Sequence, residues 1–188
     1  MNLDDFHFDL PPERIAQAPL ADRAASRMLV VDRRGGTSRD RSFRDLPEYV
    51  GPGDTLVFND SRVIPARLIG RRAGGGAAET LLVRPVSERP LRWEALVRPG
   101  KKLGLGERIA YDEGLEARVV GRGEAGLRTL EFSPAEGFLA RVERIGHIPL
   151  PPYIRRPDSA ADRERYQTIF ARQPGSAAAP TAGLHFTP

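Results

Sequence analysis

The chain contains no cysteine at all. That single absence excludes disulfides, thiolate nucleophiles and cysteine-based zinc sites, and it suits a reducing cytosol. Lysine is nearly absent too: Lys101 and Lys102 are the only two, so the net charge of +4 is carried almost wholly by arginine. Guanidinium forks match phosphate and carboxylate better than ammonium groups do. A mixed-charge solvated surface would use arginine equally well, so charge alone does not choose a partner. No apolar run approaches the roughly 20 residues that cross a bilayer. The opening MNLDDFHFDL is acidic and lacks the basic-then-apolar order of a secretory signal, so no membrane partner and a cytoplasmic location are expected. GxxxxGK[ST] and GxSxG are missing as well. The three histidines, His7, His147 and His185, lack metal-ligand spacing, so no metal site is expected.

What remains is a foldable composition: 188 residues, 40% hydrophobic and 29% charged. PPERIAQ (11–17) is expected to start a short helix, because proline fits a first helical position. RMLVVDR (27–33) and DTLVFND (54–60) read as strands covered on both faces, with a short helix between them near Ser42 to Val50. From Arg62 to Phe132 short segments rich in Val, Leu, Ile and Thr alternate with turn signals such as RRAGGG, SERP and RPGKKLG. This pattern predicts a small antiparallel barrel or sandwich. RRAGGG has no helix after it and reads as a hairpin turn instead of a dinucleotide loop.

Helix is expected again from Ser133, where SPAE has the form of a capping box and Phe138, Val142 and Ile145 share one face. Prolines keep HIPLPPYIRRP (147–157) extended. A further helix is expected over about 160–171, with Ser159 and Asp162 as its cap. The predicted architecture is therefore α/β plus all-β. Residues 1–61 begin an α/β domain, 62–146 form an inserted β-barrel domain, and 147–188 return to the α/β domain, which looks incomplete.

Three polar segments could carry chemistry, each with a bland alternative. In FNDSRVIPARL (58–68), Asn59, Asp60 and Ser61 terminate the expected strand 54–60, where α/β proteins place ligand-binding groups. The alternative is a turn in which Asn59 and Asp60 bond their own backbone. In GHIPLPPYIRRPD, His147, Tyr153, Arg155 and Arg156 form a stiff aromatic and cationic edge suited to looped RNA, or simply a proline-stiffened linker. In RYQTIFARQPGSAAAPTAGLHF, Gln167 and Thr168 offer hydrogen bonds beside a small-residue loop. His185 there is a proton-transfer candidate or a structural histidine.

Together, FNDSRVIPARL, GHIPLPPYI with RRPD, DRERYQTIFA and AAAPTAGLHF, in that order, resemble the S-adenosylmethionine:tRNA ribosyltransferase-isomerase family of queuosine biosynthesis. The opening LPPERIAQAPLADRAASRMLVVDR resembles that family's start. The resemblance implies an α/β barrel-like domain interrupted by a small antiparallel β-barrel, of which this chain would be the N-terminal half. It implies transfer and isomerisation of the ribosyl part of S-adenosylmethionine onto 7-aminomethyl-7-deazaguanine (preQ1) at the wobble position, giving epoxyqueuosine. The implied partners are S-adenosylmethionine, as substrate and not cofactor, and a tRNA with a GUN-type anticodon. No cofactor, no metal and a monomeric state are expected. Asp60 and His185 would be the base or acid. Asn59, Ser61, Arg62 and Arg67 would position substrate, and Tyr153, Gln167, Thr168 and Thr181 would line the pocket. His147, Arg155 and Arg156 would meet tRNA. The alternative expectation is an inactive fragment that at most binds RNA.

Overall fold

The computed structural model describes residues 2–188. The N-terminal segment holds only single turns of 3-10 helix, at Leu3–Phe6, Pro12–Arg14 and Arg23–Ala25. Strand β1 (Arg27–Asp32) pairs antiparallel with β2 (Thr37–Ser42) as a free-standing ribbon. β1 is therefore not covered on both faces, since Leu29 and Val31 point to solvent. The polar β2 escaped sequence reading because backbone pairing, not side-chain pattern, makes it a strand. Ser42 caps the following 3-10 helix, Phe43–Tyr49, in a capping box with Asp45.

The stretch 54–60 is not a strand. Its apolar run finds no ladder partner among the described residues, and Val57 is 90% exposed. The strand begins later, as β3 (Ser61–Val63).

The barrel is the best-built part of the molecule. β4 (Arg67–Arg72), β5 (Ala77–Glu88), β6 (Leu91–Arg98), β7 (Arg108–Ala110), β8 (Glu116–Arg122) and β9 (Leu127–Ser133) close in the order β4-β5-β6-β9-β8-β7. Every neighbouring pair is antiparallel. Closure leaves no edge to template aggregation. Alternate residues turn inward, and Leu68, Leu82, Leu103, Ile109, Leu115, Val119 and Leu130 are fully buried. Each contributes about 1.5–3 kcal/mol by leaving water. Thr80 and Tyr111 place their hydroxyls 2.7 Å apart inside this core, so each polar group is satisfied. Burial pushes the Tyr111 hydroxyl pKa well above its ordinary value.

Helix α1 (Phe138–Ile145) packs against the barrel core through Phe138 and Val142. Phe138 lies 5.7 Å from Trp93 and 4.8 Å from Phe132, ring to ring, and Val142 joins the same core. The expected capping box at Ser133 does not form. Ser133 is the last residue of β9, tied to Glu116 across the ladder, and the helix starts only after Gly137. Gly146 ends it where a Cβ would overlap the Pro65 carbonyl oxygen, so no other residue fits that crossing.

Beyond the barrel, α2 (Asp162–Arg165) is a single turn, not the helix expected over 160–171. The chain leaves it extended to form β10 (Gln173–Ser176), which runs parallel to β3. A last 3-10 turn covers Thr181–His185.

Candidate functional site

Three distant stretches meet beside the barrel: 16–23, 147–167 and 181–185. Arginines aimed at backbone carbonyls hold them together. Arg23 donates to the carbonyls of Glu164, Gln167 and Leu184. Arg165 returns the exchange by donating to those of Leu20 and Ala21. Partial burial, with Arg165 nearby, lowers the Arg23 pKa. Arg156 reaches the Asp162 carboxylate with two parallel bonds of 2.7 and 2.8 Å. Its Nε donates to the Gln17 carbonyl at 2.8 Å. Asp162 is only 4% exposed. Arg156 first, then the Ser159 amide and hydroxyl, hold its carboxyl well below the usual carboxylate range.

Beside these ties lies an open slot of about 220 Å³ whose wall is mostly apolar, with Leu150, Tyr153, Ile154, Tyr166, Thr181 and Leu184 among the lining side chains. Burial raises the Tyr166 pKa, and Tyr153 adds to the rise. Two tyrosine rings, Tyr153 and Tyr166, stand in an otherwise aliphatic wall, the combination that concave small-molecule sites use. The segment carrying Leu150, Ile154, Arg156 and Tyr166 has a second face. That face borders a larger cleft of about 690 Å³, closed on its far side by Arg67, Glu79 and Arg98 of the barrel. One wall thus separates the small slot from a broader, mainly apolar cleft whose charged groups are Arg67, Glu79, Arg98, Arg156 and Asp158.

The residues singled out from sequence divide into groups. Tyr153 and Thr181 line the slot, and Arg156 lies on the wall between the two cavities. The Arg156 guanidinium is engaged within the chain, by the Asp162 carboxylate and the Gln17 and Pro157 carbonyls. Arg155 is exposed, and its amide donates to the Gln17 side chain. His147 accepts or donates at Nδ1 with Asp158, 2.9 Å away, while its backbone pairs with Arg67. Arg67 sits in the larger cleft with its buried Nε 3.5 Å from Glu79 Oε1, an ion pair without a hydrogen bond among the described residues, while its Nη2 donates to the Leu150 carbonyl at 3.4 Å.

Gln167 and Thr168 do not line the slot. Both amide atoms of Gln167 are spent on the Val63 backbone, at 3.0 and 2.7 Å. Thr168 is buried, accepts from the Phe170 amide, and packs where a Cβ at Gly183 would meet it at 2.9 Å. They brace the wall from behind.

Asn59, Asp60, Ser61 and Arg62 stand at the beginning of β3, not at the end of a strand 54–60. Asn59 accepts from the Ser61 amide at 2.7 Å, a turn-stabilising bond. The Asp60 carbonyl accepts from the Arg172 and Gln173 amides, and its half-exposed carboxylate lies 3.9 Å from Arg172. Arg62 is exposed on β3. His185 bonds Ser26 Oγ through Nδ1 at 3.0 Å and packs on Phe43. Phe58 and Phe170 are stacked at 4.2 Å, and Phe186 meets both rings edge-on, which draws the Asp60 and His185 segments to one cluster.

Sequence reasoning missed the roles of Gln17, Arg23 and Arg165. Their type carried a signal only in hindsight: arginines and a glutamine in turn-rich stretches are the side chains long enough to cap remote carbonyls. No group of three or more histidines or carboxylates with metal-binding geometry occurs among the described residues. No helix there is long and apolar enough to cross a membrane.

The fold is thus a closed antiparallel barrel with a small, mostly apolar slot beside it, walled by segments 16–19, 150–166 and 181–184. The family description "Queuosine biosynthesis protein" matches residues 3–188, and the chain belongs to that family. It is 58% identical to the S-adenosylmethionine:tRNA ribosyltransferase-isomerase of Solibacter usitatus, covering 100% of this chain and 58% of that protein. It is 50% identical to the enzyme of the same name from Geobacter metallireducens, covering 100% of this chain and 55% of that protein. Among solved structures it is similar to an S-adenosylmethionine tRNA ribosyltransferase from Thermotoga maritima, at 42% identity and a TM-score of 0.39, over 80% of this chain and 52% of that one. The chain spans about half the length of the curated relatives it matches.

Proposed function

We propose that this chain serves the reaction its relatives are named for: transfer of the ribosyl part of S-adenosylmethionine to tRNA, followed by isomerisation. The acceptor would be the aminomethyl group of preQ1 at the wobble position of a tRNA with a GUN-type anticodon. The product would be epoxyqueuosine, with adenine and methionine released. The observation that supports this most is 58% identity over the whole chain to a protein so named.

The site suits the chemistry. A sulfonium acidifies the neighbouring carbon, and a positioned base takes the proton. Asp60 and His185 are the candidates. Nδ1 of His185 is held by Ser26, while Nε2 has no hydrogen-bond partner among the described residues, so the ring is oriented with one nitrogen left for proton transfer. Tyr153 and Thr181, with Tyr166, would hold one of the two bases, adenine or 7-deazaguanine, in the slot. Arg62 and Arg67 would meet phosphate or ribose, with Asn59 and Ser61 shaping the turn between them and the barrel. Arg155 and His147 remain the tRNA-facing candidates, whereas Arg156, Gln167 and Thr168 would act by holding the wall. The reaction as proposed needs no metal or redox cofactor, and the working unit would be a monomer in the cytoplasm.

The test gives the protein ribose-labelled S-adenosylmethionine and preQ1-containing tRNA. Label should enter the tRNA, with adenine released in equal amount. A folded, tRNA-binding protein that transfers no label would contradict the proposal and leave only an RNA-binding module, with steeply salt-dependent affinity.

A further inference from the structure

Gln17 does for the 153–156 segment what a neighbouring strand does elsewhere. Its side-chain Nε2 donates to the Tyr153 carbonyl at 3.1 Å. Its Oε1 accepts from the Arg155 amide at 2.7 Å. Its own carbonyl accepts from Arg156 Nε at 2.8 Å. The same amide Nε2 also reaches the Ile15 carbonyl at 3.1 Å, which fixes its orientation. One residue therefore makes three bonds to Tyr153, Arg155 and Arg156, a segment 136 or more positions away. Four of the nine residues in the stretch 149–157 are proline and carry no backbone N–H, which breaks any continuous ladder there. Without Gln17, nothing else among the described residues bonds the Tyr153 carbonyl or the Arg155 amide.

Tyr153 lines the small slot, and Arg156 stands on the wall shared by both cavities. From this geometry we propose that Gln17 is a positioning residue. It fixes Tyr153 in the slot and holds the wall, with Arg156 locked from the other side by Asp162. The role is one of orientation, since both polar atoms of the amide are engaged by backbone and are not directed at a ligand. That a base of one substrate stacks in the slot is taken from the transferase reading, on which the kinetic part of this inference rests.

The test compares Gln17→Ala and Gln17→Glu with the unaltered protein. Glutamate keeps the acceptor for the Arg155 amide but sets a carboxylate oxygen against the Ile15 and Tyr153 carbonyls, so Gln17→Glu should protect the Arg155 amide better than Gln17→Ala while still loosening Tyr153. Hydrogen exchange at the Arg155 amide should accelerate about tenfold or more in Gln17→Ala as its protecting bond is lost. KM should rise about tenfold for the one substrate whose base occupies the slot, with kcat within about twofold, the pattern of lost ground-state orientation. Thermal unfolding followed by Trp93 should be unchanged, which separates positioning from a general loss of fold. Unaltered exchange would overturn the proposal. So would faster exchange with both KM values unmoved, or a fall in kcat at constant KM. An unaltered protein without turnover would remove the transferase reading alone. Equilibrium dialysis with S-adenosylmethionine and with tRNA would then decide, and a Kd unmoved by Gln17→Ala, or no binding of either, would overturn the positioning role.

Discussion

The barrel and the segments beside it are held by different physics. Inside the barrel, neighbours in sequence are neighbours in space: β4 to β6 and β7 to β9 run as successive hairpins around a dry core. Beside it there is little buried apolar surface, and the chain is held by long side chains reaching carbonyls and carboxylates of remote segments. A hydrophobic core tolerates exchange of one apolar residue for another of similar size. A set of arginine-to-carbonyl ties does not, because each tie needs one donor geometry. The more delicate region is the one that forms the slot, which fits the tendency of binding sites to draw on segments of low local stability.

Four substitutions probe that contrast, from the strongest effect to the weakest. Leu130→Ala, facing Trp93 across the β6–β9 ladder, should lower stability by about 3 kcal/mol, the cost of lost transfer and an unfilled cavity. Chemical denaturation read by the single Trp93 measures it. Arg23→Met removes donors to three carbonyls and should cost about 1–2 kcal/mol. Its mark should be faster amide exchange in 164–167 and 184, with the barrel amides unmoved. If the barrel loosened equally, the two regions would be one cooperative unit and the contrast would fail.

The third probe is acid. The folded-state pKa of Asp162 lies below its unfolded value, so its contribution is fully present above about pH 4 and fades as pH falls further toward the folded value. Proteolysis at 147–166 should therefore quicken on acidification below about pH 4 before the barrel opens, and Asp162→Asn should abolish that pH dependence. The smallest effect belongs to Arg84→Ala, on the solvent side of the barrel. Its paired bonds to Glu94 are exposed, and the denaturation midpoint should not move measurably.

The same contrast explains what could be read from sequence. The barrel strands were legible because their turns and β-branched runs are local, and closure adds only register. DTLVFND misled because an apolar run becomes a strand only with a partner, and Leu56, Val57 and Phe58 have none in a ladder here. SPAE misled because β9 claims Ser133 before it can cap a helix. The expected helix over 160–171 stops after one turn because Gln167 is committed to Val63 and the chain must extend into β10. At the site, Tyr153 and Thr181 were recognisable as slot-facing types. The bracing roles of Arg156, Gln167 and Gln17 were not, since they depend on carbonyls more than a hundred positions away, apart from the nearby Asp162.

The most direct measurement is hydrogen exchange across the whole chain with and without S-adenosylmethionine or preQ1-containing tRNA. Ligand should protect amides at 16–19, 150–156, 162–166 and 181–185, leaving the barrel strands at their already slow rates. Protection confined to the outer faces of the barrel, with the slot segments unchanged, would contradict the placement of the site.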